Sequence, residues 1–473
     1  MKVLLATMSV EDDSRYKHEK NSAYSLGLAY LHSIIESKGY TVKTLFLNNY
    51  DAQKADNLFF KTINEFAPTI VGLQIFSMNR TSTFNIIEKL TDKKIKIIIG
   101  GIHTTLMYEQ ILKKYTNIIT VLGEGEITLP ELLNCIEKSK DLSKIKGIAY
   151  SNNGKIVTTS QRELLLNLDS LPRPKHEVFF DMDEKRTTAH MITSRGCPFK
   201  CSFCALPAIS HAKYRNRSVD NVIQEIVFLK KRYPKLSHIQ FHDDTMLLNN
   251  SRVIELCKKI IDLEFNLTFE CSARVKPVSE ELFYWMHKAG FTKIMFGLES
   301  GSVKILDSIG KKISPADVVH LFNTLKKFNF FVTTFLMCGF PGESEETIKE
   351  TIILVNKIQK IKYSLIVGIG ILWVYPGTEI YKTAKRKGFI TDDYWMTDKC
   401  VPYYTFEHSY KKLQKFENIL MDHVSITRIF TWNGFRYHFL KMPLRITCFI
   451  IKFIVRYPDK LNKIYSRLFR KNN

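Results

Sequence analysis

Short, uniformly apolar runs alternate along the chain with stretches whose apolar residues recur every third or fourth position. The first kind predicts strands buried on both faces, the second amphipathic helices. In the first part, strands are expected at residues 2–6, 42–47, 69–76, 95–99 and 117–122. Leu26, Ala29, Tyr30, Ile34 and Ile35 mark a helix after the first strand, and Gly39 ends it. Strands separated by helices imply a parallel, doubly wound α/β sheet, whose ligands bind at the carboxyl ends of the strands.

The same alternation restarts near residue 185, with strands at 189–194, 237–244, 268–274, 293–301, 331–337 and 365–374. Six strand–helix units predict a partial (β/α)6 barrel of TIM type. Between the halves, 148–157 reads as a hairpin around Asn152-Asn153-Gly154, and Pro172 and Pro174 stiffen a linker. The domains are therefore 1–143 (α/β), 144–184 (connector), 185–391 (barrel) and 392–473 (a helical, basic extension).

The formal charge of +22 is dispersed except at the end, where residues 423–473 hold eleven Lys and Arg against Asp459 alone. Interleaved Phe and Ile make this stretch a candidate for peripheral contact with a membrane surface, or for a helical cap on the open barrel. Nucleic acid is the weakest choice, because no recognition motif accompanies the charge. No leader and no spanning run are evident, and the nine cysteines are sparse. A cytoplasmic enzyme is expected, with the inner face of the membrane as its alternative station.

Three of those cysteines cluster as Cys197-x3-Cys201-x2-Cys204, after an apolar approach and a Gly-Cys-Pro turn. Thiolates so spaced can hold three corners of an iron–sulfur cubane and leave one iron open. Structural zinc usually takes four ligands, and a disulfide needs an oxidising compartment; both fit less well. Polar residues stand at the predicted strand ends: Asp243, Asp244, Glu270, Arg274, Glu299, Ser300 and Glu343. Asp244 and Glu343 could equally cap the helices that follow. Cys338 reads as core.

The triplet resembles the cluster loop of radical S-adenosylmethionine enzymes. The resemblance implies a [4Fe-4S] cluster on Cys197, Cys201 and Cys204, with S-adenosylmethionine on its open iron. It further implies contacts to that cofactor from Phe203, Asp243, Arg274, Glu299 and Ser300. The N-terminal half is similar to the cobalamin-binding domain of one subfamily, through Gly27-Leu28-Ala29-Tyr30-Leu31, Gly100-Gly101 and Leu122-Gly123-Glu124-Gly125-Glu126. That likeness points to Ser77, Gly100, Gly101, Gly123 and Glu124 for cobalamin. The D-x-H-x-x-G motif that supplies a cobalt-ligating histidine is absent, since Asp12, Asp13 and His18 are mis-spaced.

What the resemblance implies is generation of a 5′-deoxyadenosyl radical for cobalamin-dependent C-methylation of an unactivated carbon. The substrate would be a small molecule, lipid-like if the basic tail speaks for it. An external electron donor of flavodoxin or ferredoxin type would serve it. A cobalamin-independent cyclase or rearrangement enzyme is the alternative, and a non-enzymatic metal- or membrane-binding module a further one. A methylthiotransferase would need more cysteines upstream than Cys135.

Overall fold

The computed structural model describes residues 1–10, 24–90, 94–181, 186–404 and 406–424, with backbone alone at 365–368 and 422–424. The misplaced Asp12, Asp13 and His18, and most of the basic tail, lie outside the described residues.

The first sheet contains β1 (Lys2–Thr7), β2 (Thr41–Phe46), β3 (Ile70–Gln74), β4 (Lys96–Gly100) and β5 (Ile118–Val121), all parallel in the order β2-β1-β3-β4-β5. Helices α1 (Leu26–Ser37), α2 (Ala52–Phe66), α3 (Arg80–Leu90), α4 (Ile102–Lys114) and α5 (Gly125–Glu137) connect or follow them. This is the flavodoxin-like doubly wound order, whose switch point lies between β1 and β3. Alternation along β1 sets the two faces. Val3 and Leu5 pack under α1 and α5 with Leu28 and Leu132, while Leu4 and Ala6 pack with Phe59, Phe84 and Ile111 of α2, α3 and α4. The expected hairpin forms, as β6 (Ile148–Asn152) and β7 (Lys155–Thr158). It is no free connector, because β6 adds antiparallel to β5 and extends the sheet to seven strands.

After a short helix α6 (Glu177–Phe180) the barrel begins with β8 (Thr188–Met191). A small antiparallel pair follows, β9 (Ser194–Arg195) with β10 (Arg215–Asn216), flanking helix α7 (Leu206–Ser210). Then come α8 (Val219–Arg232), β11 (His238–Phe241), α9 (Asn250–Asp262), β12 (Thr268–Ala273), α10 (Glu280–Lys288), β13 (Phe291–Glu299), α11 (Val303–Ser308), α12 (Pro315–Leu325), β14 (Phe331–Cys338), α13 (Glu345–Ile361) and β15 (Ser364–Ile371). The second sheet is six-stranded and parallel, ordered β8-β11-β12-β13-β14-β15, a half-barrel as expected. Ile239, Phe241, Phe269, Ile294 and Val332 face the helices; the alternate positions Gln240, Glu270 and Lys293 sit in register on the lumen side.

Past β15, α14 (Glu379–Arg386) leads to a strap over the sheet domain, where buried Trp395 packs with Ile305, Phe340 and residues of α3 and α4 in one core. The two domains therefore share apolar interior rather than a wet seam. The last helix, α15 (Tyr410–Val424), buries Leu413, Phe416 and Leu420 against Cys338 and Ile371, covering β14 and β15. The membrane-surface and cap alternatives for 423–473 fall, beyond residue 424, on residues outside those described. Cys338 is core, as read.

Candidate active site

The cysteine loop leaves β9 at Gly196. Its φ is +84°, and a Cβ there would lie 2.0 Å from the Lys213 carbonyl oxygen, so only glycine lets the chain turn this tightly. Ser202 N donates to Ile309 O (2.9 Å) and Cys204 N to Cys201 O (3.0 Å), pinning the loop to the end of α11. Burial pushes the Cys204 thiol up to about 11 and raises Cys197 as well, and each ionised thiol further opposes its neighbours. The raised Cys197 and Cys204 thiols must therefore give up their protons when they bind a cation. Among the described residues no three His, Cys, Asp or Glu side chains converge closely enough for a single ion. Three thiols along one loop offer the donor set of an iron–sulfur cluster with one iron left open.

Arg274, at the end of β12, lays its guanidinium 3.7 Å over the Phe199 ring and points Nη1 at Cys201 Sγ (3.6 Å). It also donates to the Lys311 carbonyl, and its buried Nε has no partner. Glu299, at the end of β13, adopts φ +63° and accepts from Lys311 Nζ at 2.7 Å. A non-glycine residue held in the left-handed region at a strand end is a strained feature of the kind found at ligand sites. Phe203 is half-buried beside Phe340, with the Lys311 ammonium 5.9 Å from its ring centre. The structure thus brings Phe203, Arg274 and Glu299 around the cysteines, and Lys311 joins them.

Two expected ligand residues are otherwise engaged. Asp243 is buried and accepts from Thr193 N (2.9 Å), Thr193 Oγ1 (2.7 Å) and Ser194 Oγ, tying β11 to the approach of the cysteine loop. Ser300 is buried against Thr351 Oγ1 (3.2 Å) and receives Ser302 N. Neither expected cap forms. Asp244 accepts from Gly196 N (2.9 Å), and Asn249 caps α9 instead. Glu343 accepts from Gly339 N and Thr347 Oγ1, and Ser344 caps α13. In both places a serine or asparagine one or more residues later reaches the helix amides with better geometry.

A cavity of about 620 Å³ lies between the carboxyl ends of the first sheet and the cysteine loop. Gly27, Gly72, Gly100, Gly101, Gly123 and Gly125 line the sheet side, so backbone forms much of that wall. At Gly101 (φ +102°) a Cβ would meet Ile75 O at 2.7 Å. Ile192, Arg195, Arg215, His242 and Asp244 close the barrel side. Glu124 lies in the wall and bonds to Arg215 and Arg195. Ser77 does not line it: its Oγ lies 3.0 Å from Nδ1 of His103, a buried imidazole that burial and the nearby Arg80 hold neutral, down at about 3. The sequence reading missed Arg195, Arg215, His242 and Lys311. Arg195 alone carried a signal, standing two residues before Cys197. A bulky, flat ligand fits a glycine-walled space of this kind at a doubly wound switch point.

Residues 19–133 match the model of the B12 binding domain, and residues 191–355 that of the radical SAM superfamily. An uncharacterized methyltransferase of Pyrococcus horikoshii is 30% identical over 425 residues, covering 87% of this chain and 91% of that protein. An anaerobic magnesium-protoporphyrin IX monomethyl ester cyclase of Rubrivivax gelatinosus is 26% identical over 340 residues, 68% of this chain and 60% of its own length. In fold the chain is similar to the radical S-adenosylmethionine methyltransferase TsrM of Kitasatospora setae, solved with cobalamin and a [4Fe-4S] cluster: TM-score 0.66, 18% identity, 81% of this chain and 75% of that one. With the half-barrel, the three-cysteine loop and the glycine-walled sheet in one chain, the protein belongs to the radical SAM superfamily, among the members that carry a B12-binding domain ahead of the barrel.

Proposed function

We propose that the chain methylates an unactivated carbon of a small molecule. As a member of this family it is an enzyme, and its cofactors are a [4Fe-4S] cluster, S-adenosylmethionine and cobalamin. When bound, they supply a 5′-deoxyadenosyl radical and a transferable methyl group. The observation that carries the reading is the cavity itself: one wall is the carboxyl end of the first sheet, the other the flank of the cysteine loop.

In this reading Cys197, Cys201 and Cys204 hold the cluster. Arg274 holds Phe199 and Cys201 in place and offers its unpaired Nε; Glu299 and Phe203 present a carboxylate and a ring to the methionyl and adenosyl ends. Asp243 and Ser300 act one step back, positioning Thr193–Ser194 and the 300–302 turn. Gly100, Gly101 and Gly123 allow a corrin to approach backbone, and Ser77 sets the outer face of the same loop through His103. An external one-electron donor of the flavodoxin or ferredoxin type completes the reaction. Among the described residues no helix is long and apolar enough to cross a membrane, and nothing in them adds to the lipid-like substrate read from the tail.

Anaerobic reconstitution with iron and sulfide, with and without hydroxocobalamin, tests the proposal. Brown absorbance, retained corrinoid, and both 5′-deoxyadenosine and S-adenosylhomocysteine after reduction are expected. Deoxyadenosine without corrinoid retention would favour the cyclase alternative; no cluster would overturn the reading.

A further inference from the structure

Glu124 occupies the N-cap position of α5, yet its side chain makes no capping bond. Its carboxylate instead leaves the sheet domain and meets two arginines of the barrel domain. Arg215 grips it with both terminal nitrogens, Nη2 to Oε1 at 2.7 Å and Nη1 to Oε2 at 2.9 Å, and Nη1 also donates to Leu165 O in the connector at 2.8 Å. Arg195 reaches Glu124 Oε1 (3.3 Å) and Glu126 Oε1 (2.7 Å) and stands 5.0 Å over the Tyr30 ring. Arg195, two residues before Cys197, and Arg215 pair directly across the strands β9 and β10 that flank the cysteine loop.

All five side chains, with Gly196, line the cavity. The arginine side chains are 6% and 16% exposed, too buried for solvent to screen the pairs as it does at a surface. Arg215 Nε is buried and without a partner.

We infer that Glu124 is a positioning residue that couples the cavity to the cysteine loop: through Arg195 and Arg215, an occupant of the corrin space sets the placement of Cys197, and a loaded cysteine loop in turn favours the occupant. The inference rests on the corrinoid reading above. It reassigns Glu124 from direct cobalamin contact to action through two arginines. Coupling of this kind is reciprocal, since each site must change the affinity of the other by the same factor.

The experiment measures hydroxocobalamin Kd on the full chain, before and after cluster reconstitution, for wild type, Glu124→Gln and Arg215→Lys. In the wild type the cluster tightens binding by at least about fivefold. In both variants the two Kd values come within about twofold of each other, because glutamine loses the charge and lysine loses the fork. Added hydroxocobalamin also shifts the electron paramagnetic resonance spectrum of the reduced cluster in the wild type and leaves it unchanged in the variants. Circular dichroism checks that each variant is folded, and either variant alone decides. Equal weakening of the cluster-free and cluster-loaded Glu124→Gln would return Glu124 to direct contact and overturn the coupling, as would an unchanged ratio. A wild type that builds its cluster and binds no hydroxocobalamin would instead remove the corrinoid reading, and the coupling with it.

Discussion

Lys311 Nζ lies 2.7 Å from Glu299 Oε1, both side chains are more than nine-tenths buried, and Glu299 holds φ +63° to make the contact. Room for the pair comes from Gly297, where a Cβ would fall 2.5 Å from Glu299 Oε1 and 3.1 Å from Lys311 Nζ. The backbone oxygen of Lys311 also receives Arg274, so one residue ties the ends of β12 and β13 together. A buried pair is costly to break from one side, because the remaining charge is left in an apolar setting. Lys311→Met is therefore expected to destabilise by about 3 kcal/mol or more in urea unfolding. Adding Glu299→Gln should recover part of that loss. A fully additive double mutant would show that the pair carries no coupling.

The cysteines divide into two classes that one substitution each can separate. Cys201→Ala removes a thiol beside Arg274, and iron bound after reconstitution should fall to near background. Cys338→Ala, in the core under α15, should leave iron content intact and lower stability by about 1 kcal/mol through a small cavity. Iron and sulfide assays, with thermal melts alongside, distinguish them.

How much of this was legible in the chain depends on how far the relevant partners lie along it. The strands of both domains follow from local apolar runs, and their parallel pairing from the helices between them; the order β2-β1-β3-β4-β5 is a tertiary fact that no local pattern marks. The cysteine triplet is local too. The latch at Glu124 joins positions 91 residues apart, and nothing in the neighbourhood of Arg215 marks it as a cavity residue. Asp243 looked like a ligand because it is polar at a strand end; the hydroxyls of Thr193 and Ser194, on the neighbouring segment, already satisfy it. Ser77 similarly looked free until His103, from the next strand end, reached its hydroxyl. The hairpin at 148–158 was recognisable as a hairpin, but its attachment to β5 is a tertiary contact without a local signal.

Two adjacent glycines should behave differently, although both line the cavity. A Cβ at Gly101 meets Ile75 O at 2.7 Å from a backbone at φ +102°. Gly101→Ala should cost about 1–3 kcal/mol of stability from backbone strain, read in the melt. At Gly100 the nearest atom to an added Cβ is 3.8 Å away, an ordinary contact. Gly100→Ala should therefore melt like wild type, while the methyl group thickens the cavity wall and weakens hydroxocobalamin binding. Identical binding in Gly100→Ala and wild type would mean the corrin does not press on this turn.

Glu343 provides a pH test that is independent of any cofactor. Burial pushes its carboxyl up to about 7, more than the bonds from Thr347 Oγ1, Phe340 and Gly339 lower it. In the unfolded chain the group ionises near the ordinary glutamate value of about 4.3. Between those values the folded state keeps a proton that the unfolded state has released. Stability from this group is therefore present in full below about pH 4.3 and declines as pH rises, levelling off above about 7, with a total change of about 4 kcal/mol. Glu343→Gln carries no proton to lose, so its stability curve should be flatter across that window and exceed the wild type at pH 8. The amide oxygen can still accept from Gly339 N while the amide nitrogen donates to Thr347 Oγ1, so both contacts can persist once the charge is removed. Urea unfolding at pH 5, 6, 7 and 8 gives the slopes directly; parallel slopes for the two proteins would show that Glu343 is already ionised in the folded state at pH 5.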